Sequence, residues 1–168
     1  TAVVDEDWDN LIVLDGCRFD LFERRCDLPG RLEKRRSKGS ATREFLQNNF
    51  RGRECYDTVY VTANPFVALD VGDAFHAVID VWRSGWDEDR GTVPPDAVER
   101  AIVRASEEYP EKRIVGHFMQ PHHPFIGENS EGVRDEGFER ARRRALGEDP
   151  EDSGGRVWQR LEDGDLDL

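Results

Sequence analysis

The chain has 168 residues, with 24 Lys and Arg against 36 Asp and Glu, for a formal net charge of −12. That length is enough for one domain with its own core. The acidic balance excludes a nucleic-acid partner gripped through its phosphates, which needs a basic face. No apolar run approaches the ~18–20 residues that span a bilayer, and no signal peptide opens the sequence.

Lys34, Lys38 and Lys112 are the only lysines, so 21 of the 24 basic residues are Arg. An acidic, Lys-poor, Arg-rich surface suits a protein that stays hydrated in high salt, as in halophilic archaea. Carboxylates hold water and cations there, while salt screens their mutual repulsion. An ordinary acidic protein is the alternative. The Arg clusters at 31–36 and 140–144 read as solvated helix faces interleaved with acids. Cys17, Cys26 and Cys55 are odd in number and lack CxxC spacing, which fits reduced thiols in a cytoplasmic protein.

Asn10–Leu14 is the first expected strand, an apolar run that stops at Asp15. Residues 19–26 and 32–38 carry helical spacing, divided by Pro29-Gly30. A loop over 38–42 opens a helix that runs to about Asn49, with Ser40 and Thr42 suited to cap it. A second strand over 57–62 stops at Asn64-Pro65. Residues 66–82 are mixed, with Phe75, Val78 and Trp82 at helical spacing. Pro94-Pro95 starts a helix to Tyr109 whose face of Val98, Ile102 and Ala105 is expected to pack on a sheet. Arg113–Phe118 is the third strand. Beyond Gly127 the chain turns polar, so 128–156 reads as a mobile surface excursion, followed by an amphipathic piece at 157–161. Short apolar strands alternating with helices predict one α/β domain over 1–168, with a mostly parallel central sheet flanked by helices.

Ligands of such sheets bind beyond the carboxyl ends of the strands, and the residues there carry chemistry. Asp15 can hold a divalent cation, with Gly16 letting the backbone turn closely around it; capping of the next helix is the plainer role. Ser40 and Thr42 stand where a helix start favours an anion, and a metal-bound hydroxyl there becomes a nucleophile. Asn64 closes the second strand as a candidate substrate contact. His117, His122 and His123 crowd into seven residues at the end of the third strand, a density that points to metal or anion contact. Pro121 and Pro124 stiffen that loop, and His117 can equally be a structural residue within the strand. His76 reads as a surface residue.

Three segments in order, Leu-Asp-Gly-Cys-Arg-Phe-Asp (14–20), Gly-Ser-Ala-Thr-Arg-Glu-Phe (39–45) and His-Phe-Met-Gln-Pro-His-His-Pro-Phe (117–125), resemble the N-terminal half of the sulfatase-like alkaline phosphatase superfamily. They are most similar to its short haloarchaeal members, and the likeness covers about residues 8–127. The resemblance implies an alkaline phosphatase-like fold and a metal-dependent hydrolase of small-molecule or polymer-borne sulfate or phosphate esters. It implies Asp15 and Ser40 as ligands of a divalent ion (Mn, Zn, Ca or Mg). Ser40 is the implied nucleophile, with Thr42 in reserve, and His122 the implied contact to the ester, with His123 beside it.

Departures from the family pattern narrow this. Ser40 is followed by Ala41-Thr42-Arg43-Glu44 rather than by x-Pro-x-Arg, so a direct alkoxide is expected in place of formylglycine. Gly16 stands where many sulfatases repeat the Asp. The later Asp-His-Gly motif that completes the family's metal site does not occur, so the fold is expected to be an incomplete, N-terminal portion. Two other functions follow from the same likeness: a non-catalytic binding module that keeps the fold, and a transferase that passes a phosphoryl or phosphoglycerol group to an alcohol.

Overall fold

A computed structural model of the chain describes residues 2–127 and 136–148. It is an α/β domain with a four-stranded, all-parallel sheet flanked by helices. The strands are β1 (Asn10–Leu14), β2 (Cys55–Thr62), β3 (Phe75–Asp80) and β4 (Arg113–Phe118), in spatial order β1-β4-β2-β3. The helices are α1 (Phe19–Arg25), α2 (Thr42–Phe50), α3 (Phe66–Asp70), α4 (Val81–Ser84), α5 (Pro95–Glu108) and α6 (Glu136–Ala145). Short 3-10 turns cover Val3–Asp5 and Gly72–Ala74.

Strand alternation divides the core between the two faces of the sheet. Val59, Val61 and Ile114 point to one face, where Val98, Ala101 and Ala105 of α5 and the fully buried Trp82 cover them. Gly116 is required there, because a Cβ would run into the Ile102 side chain of α5. Tyr60 and Val115 point to the other face, against Leu46 and Phe50 of α2, Val67 of α3 and Phe75. Phe50 meets Tyr60 and Phe75 edge-on at centroid distances of 5.7 and 5.2 Å, an arrangement that favours aromatic quadrupoles.

Two stretches differ from their sequence-based reading. Residues 75–80 form strand β3, not a helical segment. The spacing of Phe75, Val78 and Trp82 is overridden by pairing along β2 from Cys55↔Phe75 to Thr62↔Asp80. Residues 32–38 form no helix. Their one apolar residue, Leu32, is half exposed, and Arg31 and Arg35 both pair with Glu33 two residues away. That spacing suits extended chain, since helical partners sit three or four apart. Of the expected excursion at 128–156, the described part contains α6, whose Phe138 and Ala141 are buried. The piece at 157–161 lies outside the described residues. No helix among the described residues is long and apolar enough to cross a membrane, and all three cysteines are free.

Candidate functional site

The parallel register brings three strand ends to one level. Val13 and Thr62 flank His117 as its partners in β1 and β2, and Asp15 and Asn64 stand two residues further along each chain. Backbone bonds tie the ends together. The Asp15 N–H donates to Phe118 O at 3.2 Å, Ala63 N–H to His117 O at 2.9 Å, and His122 N–H to Asp15 O at 2.9 Å. A cleft of 730 Å³ opens above them, lined by Asp15, Thr42, Phe66, His117 and His122 among others.

Asp15 is the centre of this arrangement, and only 9% exposed. Its carboxylate accepts the Thr42 hydroxyl at 2.9 and 3.1 Å and the Asn64 amide Nδ2 at 2.9 Å. His117 Nε2 lies 3.6 Å from Asp15 Oδ2, which is too long for a hydrogen bond but close enough for charge and dipole to act. Burial alone would push the Asp15 carboxyl up. The facing His117, the Thr42 hydroxyl and the charge of His122 together outweigh that and hold it below the ordinary value. The group is therefore a carboxylate at neutral pH.

Gly16 has φ +68°, and a Cβ there would come within 3.3 Å of the His122 ring. The turn after β1 thus requires glycine on both counts. Asn64 is held by its own turn: its Oδ1 accepts the Phe66 N–H at 3.0 Å, leaving Nδ2 for Asp15. Thr42 is the first residue of α2 and no side chain caps that helix. Gly39 lets the preceding strap lie on the helix start, since a Cβ there would overlap the backbone of Glu44 and Phe45.

The structure treats the two candidate hydroxyls differently. Thr42 is turned inward onto Asp15. Ser40 is exposed, and both its hydroxyl and its N–H donate to Glu44 Oε2, at 2.8 and 2.9 Å. His122 donates from Nδ1 to the His123 carbonyl at 2.6 Å and stacks edge-on against Phe138 of α6 at 5.0 Å. His123 is more exposed and stacks on His122 at 4.3 Å. His76 is an exposed residue of β3 that meets the Tyr109 ring.

Sequence reasoning passed over Tyr60 and the inward role of His117. Tyr60 is fully buried, and its hydroxyl lies 3.0 Å from His117 Nδ1. A signal existed: a Tyr inside Val59-Tyr60-Val61 and a His inside an apolar strand each need a buried polar partner.

A divalent ion beside Asp15 would find that carboxylate and the Thr42 hydroxyl. Among the described residues no group of three or more His, Cys, Asp or Glu side chains is placed to hold a metal ion. A tight site takes at least four donors, so these residues do not form a self-sufficient one. Comparison of the chain with known protein families, with curated proteins and with solved structures brings out no match.

Proposed function

We propose that the cleft binds a phosphate or sulfate ester and that the domain is a hydrolase with an alkaline phosphatase-like arrangement, using Thr42 as its nucleophile. One observation carries this reading: a hydroxyl at a helix start donates to a buried, ionised carboxylate where three parallel strands end. Nucleophile-and-acceptor pairs of this kind support acyl- and phosphoryl-type transfer. The Thr42 hydrogen is directed at Asp15, which leaves the oxygen lone pairs for the phosphorus or sulfur. As the bond from the Thr42 oxygen forms, the Thr42 proton passes to Asp15 and the ester's P–O or S–O bond breaks. The leaving group departs as an oxyanion that takes a proton from solvent. Water then attacks the ester left on Thr42 and gives up a proton to solvent. Asp15 returns its proton to the Thr42 oxygen as that bond breaks. Asn64 holds Asp15 in place throughout. His122 lines the same cleft, and the first amides of α2 favour the ester's anionic oxygens. If a divalent ion takes part, Asp15 and Thr42 would hold it and its remaining ligands come from outside the described residues.

The choice of Thr42 over Ser40 rests on their different partners. Turnover of an aryl phosphodiester and an aryl sulfate, with and without added Mn²⁺ or Zn²⁺, tests it. Thr42→Val is expected to lower kcat by more than ~10³-fold, the scale of losing a nucleophile, with Ser40→Ala within ~3-fold of the parent. Loss of activity in Ser40→Ala with Thr42→Val intact would return the role to Ser40. Adding acceptor alcohols separates hydrolysis from group transfer. The incomplete metal ligation favours a second reading, a non-catalytic module that binds the ester. Ester binding without turnover, in the parent chain, would select it.

A further inference from the structure

We infer that Tyr60 locks His117 in its Nε2–H tautomer, so that His117 turns an N–H dipole toward Asp15 and is not a cation ligand. The pairing of buried polar atoms selects this form. Tyr60 sits at 0% exposure among Phe50 and Phe75, and burial pushes its phenol well above its ordinary value, so it keeps its proton. That proton needs an acceptor, and among the described residues the hydroxyl's hydrogen-bonding partner is His117 Nδ1 at 3.0 Å. If Nδ1 carried the ring proton instead, the Tyr60 O–H would lose that acceptor in an aromatic pocket, which is unfavourable.

With Nδ1 accepting, the neutral ring carries its proton on Nε2. Nε2 is buried, has no hydrogen-bond partner among the described residues, and stands 3.6 Å from Asp15 Oδ2. An N–H facing a carboxylate is favourable there, whereas a lone pair facing it would be repelled. Both ends of the ring therefore select the same tautomer. At His122 it is Nδ1 that carries a proton, donated to the His123 carbonyl. The cleft then presents His117 as an imidazole fixed with its N–H toward Asp15. A cation in this cleft would draw on Asp15 and Thr42 without help from His117. Tyr60 and His117 are positioning residues, and the inference holds whether or not the site hydrolyses esters.

Two-bond ¹⁵N–¹H correlation spectra of the full chain test it near pH 8, above the ordinary imidazole pKa of ~6.5. The four histidines are assigned with His117→Gln and His122→Gln. The expected result is protonated Nε2 with bare Nδ1 for His117, and a protonated Nδ1 for His122. Tyr60→Phe, which keeps the ring and removes the hydroxyl, is expected to shift His117 Nδ1 toward the position of a nitrogen without a hydrogen bond. Added Zn²⁺ alone should leave the His117 Nε2 proton in place. A His117 with protonated Nδ1, an Nδ1 resonance unmoved in folded Tyr60→Phe, or loss of the Nε2 proton on adding Zn²⁺ would each overturn the assignment. If Tyr60→Phe fails to fold, the parent spectrum alone decides. A failed esterase assay leaves all of these readable.

Discussion

Asp15 stays ionised although buried, because Thr42, Asn64 and the nearby imidazoles serve the charge that burial penalises. A carboxyl whose folded pKa is depressed stabilises the fold above its unfolded value of ~3.9, and that contribution fades as pH falls through the folded value. Urea unfolding of the parent and Asp15→Asn between about pH 6 and pH 3 is expected to show a stability gap that narrows below about pH 4. A gap independent of pH would mean that the Asp15 charge is not what the neighbours hold. Asp15 was legible as a site residue because a lone acid closes an apolar run. The preference for Thr42 over Ser40 was not, since both hydroxyls precede the same helix and only their partners separate them.

At the scale of elements, the site depends on how the strap over residues 37–41 meets α2 (Thr42–Phe50). Gly39 is the contact point: a side chain there overlaps the backbone of Glu44 and Phe45, and backbone cannot move aside as a flexible side chain can. Gly39→Ala is expected to cost ~1–3 kcal/mol, as overpacking does, which lowers Tm by ~2–4 °C per kcal/mol in a chain of this size. It should also displace Thr42 from Asp15. A melting curve identical to the parent's would show that the strap yields without effort. Strands β1 and β4 and helix α5 were legible because their apolar patterns have one period each. Strand β3 was not: Phe-His-Ala-Val-Ile-Asp satisfies both a period of two and a spacing of three, and its pairing with β2 settles the matter. Residues 32–38 failed as a helix because helical spacing without an apolar face has nothing to bury.

The whole molecule carries a net charge of −12, and at low ionic strength that charge repels itself. Many of its ion pairs are exposed, such as Arg100–Asp96 at 2.7 Å with both side chains more than 60% accessible, and pairs of this kind contribute little each. Melting temperature is therefore expected to rise with KCl as screening grows. A Tm unchanged between roughly 0.1 and 2 M, where the Debye length shrinks from about 10 Å to under 3 Å, would contradict the high-salt reading of the composition. Alternating apolar strands and helices determined an α/β domain with a parallel sheet from the sequence alone, because a strand or helix must bury its apolar face whatever its neighbours are. The chain could not announce that β4 inserts between β1 and β2. That strand order brings His117 beside Asp15 and sets Tyr60 behind it, since lateral pairing joins residues more than fifty positions apart on terms that no local pattern records.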